Sequence, residues 1–387
     1  MNTQPQAVFL INLVQDVNIL RPLIVMADRD FGFDVRLMVS SLFEGRDSSG
    51  IWQRELKEIA QESSARIDVF KSEFEALALL DGHGLLFAGS ESHLRGHAPC
   101  HDVFRVAPAS YLRVTLQHGF ECVGFRHSEA HKLAHGPTAS FAADMVCAWF
   151  RAEHVDALSP SQRGKLIVTG PSAVLQQFRD PLPGSGKRPG LICENLHSVR
   201  LSAMGDMKAE FVDVFSAFCA AVDDGTQPAV CLRPHPGGQY MLRNKVPLPA
   251  NVEVENAPMY RLDMRRFSYG ISAPSSVLLD MVLAGIPTAV WRDRAGRMDT
   301  DNYADLPGVS TVEEWVAFAR QAQDDPGSFA EAREAFLARF GLLTDPGEVH
   351  RRYAGLFAMA LRNAPQLATA RDLGGVVAVV PASALPA

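Results

Sequence analysis

No run in this chain of 387 residues is long and apolar enough to span a bilayer. The opening residues, MNTQPQ followed by VFLINLV, hold no basic stretch and no small-residue cleavage site, so no signal peptide is read there. Positive charge is in the minority: 37 Lys and Arg face 44 Asp and Glu, a net charge of −7. That balance speaks against nucleic-acid binding through a general basic surface. Cysteine is sparse. The six (Cys100, Cys122, Cys147, Cys193, Cys219 and Cys231) are scattered without a CxxC pair. In a chain this long they are expected to be reduced and mostly buried, which predicts a cytoplasmic location, with the inner face of the inner membrane as the variant. The first strand is not followed by GxGxxG, and there is no Walker loop, which argues against a dinucleotide dehydrogenase or an ATPase. GxSxG and HExxH are missing as well, so neither the common serine-hydrolase elbow nor the zincin helix is present.

What is present is an ordinary globular composition, 47% hydrophobic and 21% charged, enough for a sizeable core. Short apolar runs alternate with longer amphipathic ones. AVFLINLV, FDVRLMVS, RIDVFKS, GLLFAGSES, YLRVTLQHG and GKLIVTGPS read as strands, with helical patterns between most of them. This βαβα rhythm predicts a parallel sheet covered by helices on both faces. Residues 181–190, PLPGSGKRPG, hold three prolines and three glycines and read as a linker. A second α/β run follows, with strands GLICENL, PAVCLRPHP, NVEVEN, SYGISAPSS and TAVWRD. The expected organisation is a Rossmann-like domain over 1–183, a second over 184–345, and a C-terminal helix and tail over 346–387 that packs back towards the first. Two such halves face each other across a cleft, with ligands at the carboxyl ends of the strands.

Chemistry is therefore sought at the strand ends. In Leu232-Arg233-Pro234-His235-Pro236 two prolines clamp the backbone around His235. A rigid histidine there can donate to a phosphate or protonate a leaving oxygen. Ser275 and Ser276 open the helical run VLLDMVLAG, where peptide N–H groups and the helix dipole favour an anion; simple N-capping is the plainer reading. Gln117-His118-Gly119-Phe120-Glu121 ends a strand of the first half and would face the cleft from the other side. Glu194 and Asn195 end the first strand after the linker, and Asp206 stands near the start of the next helix. His93, His97 and His101 are spaced by four, as are His127, His131 and His135. On a regular helix such a ladder could hold a metal, but Gly96, Pro99 and the AHGP stop interrupt these.

LQHG, VTGPS, LRPHP and APSSVLLDMVLAGIP, in that order, resemble the GT-B glycosyltransferases, and the HP turn with its serine pair is similar to bacterial enzymes that use CMP-activated sugars. More narrowly, FLINLVQDVNILRPL, LQHGFECVGF and LICENLHS resemble the retaining β-Kdo transferases of bacterial surface-polysaccharide assembly, Kdo being 3-deoxy-D-manno-oct-2-ulosonic acid. The resemblance covers most of residues 7–300. It implies a CMP-Kdo donor, a glycan acceptor that is free or lipid-linked, no nucleic acid, no metal or other cofactor, and peripheral recruitment to the inner membrane or a polysaccharide assembly complex. It implies that His235, Ser275 and Ser276 meet the donor phosphate; Arg233, Asn195 and Gln117 are further candidate binding residues. The nucleophilic carboxylate is matched by region to Asp206, with Glu194 as rival, and Glu121 beside His118 supplies the acid–base side. An inverting CMP-sugar transferase, a polyol-phosphate transferase, a metal-dependent hydrolase using the histidine ladders, and a non-catalytic glycan-binding module remain the alternatives.

Overall fold

The structure is a computed structural model describing residues 4–176, 188–198, 200–203, 205–223 and 229–366. The expected linker at 181–190 lies largely outside the described residues, as does the tail beyond residue 366.

Seven parallel strands form the first sheet: β1 (Gln6–Ile11), β2 (Asp34–Ser40), β3 (Arg66–Phe70), β4 (Gly84–Ala88), β5 (Tyr111–Leu116), β6 (Met145–Ala148) and β7 (Leu166–Val168). Their order is β3-β2-β1-β4-β5-β6-β7. The second sheet holds β8 (Gly190–Cys193), β9 (Val230–Arg233), β10 (Val252–Val254), β11 (Tyr269–Ser272), β12 (Thr288–Trp291) and β13 (Gly308–Val309), ordered β10-β9-β8-β11-β12-β13. Both sheets reverse direction of growth beside their first strand, the doubly wound arrangement, so each has a crevice at its switch point. The central strands β1 and β4 are buried along their whole length, which is why they read as continuous apolar runs and not as alternation.

Local chemistry explains the helix starts. The helix Val14–Arg29 begins earlier than its Pro22 suggests, because the Asp16 carboxylate accepts the N–H groups of Asn12 (2.9 Å) and Leu13 (2.7 Å). Thr311 and Glu314 form a capping box on Val312–Asp324. Two helices that the sequence pattern does not announce, Ala98–Val106 and Glu129–His135, carry some of the four-spaced histidines.

The helix Pro346–Arg362 packs on the first sheet. Phe357 contacts the rings of Phe31, Phe33 and Phe87, and the Tyr353 hydroxyl donates to Gly170 O at 3.0 Å. Between the domains, Phe120 lies against Tyr303, Phe336 and Phe340. On the other flank, Glu55 accepts from Tyr260 Oη (2.7 Å) and from Arg261 Nε. These contacts set the two carboxyl edges face to face.

Candidate functional site

A cleft of about 540 Å³ opens between the two carboxyl edges. Its second-domain wall is built around the β8/β11 switch point. Glu194 and Asn195 leave β8, and Asn195 Nδ2 reaches across to Pro274 O at 2.7 Å. This bond ties the end of β8 to the loop that carries Ser275. Arg233 leaves β9 with its side chain only 5% exposed, lines the cleft, and has Nη1 without a hydrogen-bond partner. A buried guanidinium nitrogen left unpaired is costly unless a ligand completes it.

The Arg233-Pro-His-Pro turn fixes a tautomer. Gly237 N–H donates to His235 Nδ1 at 3.1 Å, so neutral His235 carries its proton on Nε2. Burial, then the neighbouring His197 and Arg233, hold His235 well below the ordinary histidine range. His197 packs on it with ring centroids 3.9 Å apart, and burial followed by Arg243 lowers His197 to about 4. Gly238 is required here: a Cβ would stand 2.7 Å from His197 Nδ1. Glu194 Oε2 accepts Met241 N–H at 2.9 Å and so closes the turn, while Oε1 is buried without a partner. Burial raises the Glu194 pKa, and the peptide N–H bonds oppose it.

Ser275 and Ser276 precede the short helix Val277–Leu283, and Ser276 makes no side-chain cap bond. The capping reading therefore does not describe it. Ser276 Oγ instead accepts Phe120 N–H from the other domain at 2.8 Å, and Ser275 lines the cleft. Gly119 permits this approach, since a Cβ there would meet Ser276 Oγ at 2.8 Å. One turn on, Asp280 lines the same wall; burial lifts it to about 7, partly offset by Arg233.

On the first-domain wall, His118 lines the cleft. Burial lowers it to about 4. Glu121 is tied across the domains: Arg200 Nη2 reaches its two oxygens at 2.7 and 2.5 Å, and Asn302 Nδ2 donates at 2.6 Å. The Glu121 and Arg200 side chains are 5% and 2% exposed, so this is a buried ion pair.

Three expected site residues have other work. Gln117 does not line the cleft; its amide accepts Trp149 N–H and donates to Gly119 O, both at 2.8 Å, which braces the turn before Glu121. Asp206 also lies off the cleft, with its side chain 69% exposed. Its Oδ1 accepts Lys208 N–H at 3.0 Å and Lys208 Nζ at 3.3 Å, and these bonds hold the carboxyl below its usual range. Glu121 reaches the cleft but with its carboxylate already engaged. Among the described residues no three His, Cys, Asp or Glu side chains converge as a metal site. His127 is instead a structural pin, its Nε2 accepting Gly124 N–H and its Nδ1–H donating to Gly136 O, both at 3.1 Å.

The residues that sequence reasoning missed are His197, Asp280 and Arg200. Asp280 had a signal: it is the lone acid in the otherwise apolar run VLLDMVLAG that follows the serine pair. His197 had only its place three residues after Glu194. Arg200 had none, because what gives it meaning is its bond to Glu121 of the other domain.

No protein-family model matches the chain. No curated protein sequence matches it either. Solved structures do. The UDP complex of MnaA from S. aureus is similar over 92% of this chain and 97% of that one, at 10% identity and TM-score 0.55. The Neisseria meningitidis UDP-GlcNAc 2-epimerase bound to UDP-GlcNAc is similar over 92% and 100%, at 10% identity and TM-score 0.53. The kitacinnamycin glycotransferase is similar over 95% and 100%, at 11% identity and TM-score 0.51. The chain has the GT-B fold. At these identities the likeness concerns architecture, and chemistry has to be argued from the cleft.

Proposed function

We propose that the protein is a glycosyltransferase that moves Kdo from CMP-Kdo to a glycan acceptor in bacterial surface-polysaccharide synthesis, with retention through two displacements. The observation that carries the reading is the anion cradle at the β8/β11 switch point. Arg233 Nη1 is unpartnered, His235 presents Nε2–H, and the N–H groups before Val277 have no intrahelical acceptor. A departing phosphate monoester fits this set. Charge-assisted bonds of this kind contribute about 1.5–3 kcal/mol each.

In the first displacement a Glu194 oxygen attacks the anomeric carbon, the bond from that carbon to the phosphate oxygen breaks, and CMP leaves with the electron pair. Glu194 is preferred to Asp206 because it lines the cleft with one oxygen uncommitted. In the second, a ring nitrogen of His118 takes the acceptor hydroxyl proton, the acceptor oxygen attacks, and the Glu194 ester bond breaks. His118 replaces Glu121 in this role because the Glu121 carboxylate is held by Arg200 and Asn302. Asp280, lifted to about 7, keeps a proton near neutrality and can donate to the leaving phosphate. The reading calls on no metal, since Arg233 and the N–H donors meet the charge. It places the enzyme at the cytoplasmic side, where a lipid-linked acceptor could be reached; among the described residues no helix is long and apolar enough to cross a membrane.

The test is turnover with CMP-Kdo, CMP-sialic acid, UDP-GlcNAc and CDP-glycerol, with and without EDTA. Selective, EDTA-insensitive release of CMP from CMP-Kdo is the expected result. Turnover of UDP-GlcNAc alone, or loss of activity with EDTA, would overturn the proposal.

A further inference from the structure

The first sheet ends on an edge that is uncovered among the described residues. β3 is its outermost strand. Ile67 and Val69 on one face of β3 are 36% and 62% exposed, and the next helix, Glu73–Leu79, adds Phe74 at 68%. An edge strand with bare apolar side chains is a pairing template.

The backbone decides how it can pair. Phe70 O accepts Ser41 N–H, so the polar groups of Phe70 point inward to β2. By alternation those of Asp68 and Arg66 do too, and those of Ile67 and Val69 point outward. We propose that this edge is an interface between two copies of the chain, β3 pairing antiparallel with the β3 of a second copy about a two-fold axis through Ile67.

Of the registers that set outward-pointing groups opposite each other, the one centred on Ile67 is favoured by charge. It places Ile67 opposite its own copy, Val69 opposite Ala65, and Arg66 opposite Asp68, twice by symmetry. Centring on Asp68 would instead set two Asp68 carboxylates face to face. In the favoured register Ile67 exchanges two N–H···O bonds with its copy and each Val69 N–H meets an Ala65 carbonyl. The Ala65 N–H is already spent on Ala60 O, at 2.9 Å, so this pair makes one bond and the Val69 carbonyl stays with solvent. Arg66 is 57% exposed, so it can turn from its own Asp68, 3.2 Å away, to that of the copy. The result is one continuous sheet through both protomers, with both clefts open.

The test uses the full chain. Light scattering behind size exclusion, over a range of protein concentrations, should give a mass near twice 42.2 kDa. I67K and V69K should return the mass of one chain with unchanged circular dichroism, and L133K, at a more exposed but remote position, should not. I67C should cross-link to a covalent dimer on oxidation, since directly opposed strand residues lie within disulfide reach; the native cysteines are all buried and give no background. A single-chain mass at every concentration would overturn the proposal. So would a dimer that survives I67K, or one in which I67C fails to cross-link. A dimer that forms only after truncation beyond residue 366 would also overturn it, by showing that the chain's own tail occupies the edge.

Discussion

Replacing Arg233 with Met separates ligand binding from fold stability. Methionine keeps most of the side-chain volume and removes the guanidinium whose Nη1 is buried without a partner. A charge-assisted bond to phosphate is worth about 1.5–3 kcal/mol, so CMP affinity should fall about 10- to 150-fold. Stability should move the other way or not at all, since the variant also removes the desolvation cost of a buried guanidinium nitrogen that has no partner. Asp280 does not spoil this expectation: without Arg233 its pKa climbs beyond about 7, and it sits neutral at pH 7. Calorimetric titration with CMP and thermal denaturation, run on the same samples, read both quantities. Unchanged CMP affinity in a folded R233M protein would refute the reasoning, because no other group in the cradle is an unpaired buried cation among the described residues.

Other consequences can be measured in parallel. E121A leaves the buried Arg200 uncompensated and should cost about 3–5 kcal/mol in urea unfolding; a loss near zero would mean the pair is dispensable. G238A drives a Cβ to 2.7 Å from His197 Nδ1 and 2.8 Å from its Cγ, so it should weaken CMP binding and lower the thermal midpoint together. D206A should leave turnover at the wild-type level, since Asp206 is largely exposed off the cleft and bonds to Lys208. His118 and His197 are lowered to about 4 and His97 and His131 to about 3, so between these values and 6.5 the unfolded chain binds more protons than the folded one. Stability should therefore rise with pH from about 4 to 6.5, and H131Q should flatten that slope in a thermal-shift series. Asp280 has the opposite sign: raised from 3.8 to about 7, it erodes stability as pH climbs through that window, so D280N should gain on wild type above pH 7.

The fold was legible where burial writes period and length into the sequence. β1, β4 and β8 are mostly apolar runs bounded by turn residues, and the alternation of strand and helix sufficed for two doubly wound sheets. The helix Ala98–Val106 was obscured by Pro99, which reads as a breaker but sits in the first turn, where its missing N–H costs nothing. At the site, sequence located the strand ends and hence Glu194, Asn195, Arg233, His235 and Ser275, all of which line the cleft. It could not say which polar groups were already committed. Gln117 and Glu121 look available in a linear sequence, but one is held by the backbone of its own turn and the other by Arg200, which is 79 residues away. Asp206 has the right chemistry and the wrong side of a helix start.

The most direct measurement is intact-mass analysis of wild-type and E194Q protein incubated with CMP-Kdo without acceptor, followed by peptide mapping. The account predicts release of CMP and a Kdo adduct on the wild-type peptide that contains Glu194, and neither in E194Q. An adduct on any other peptide, or CMP release by E194Q equal to wild type, would contradict it.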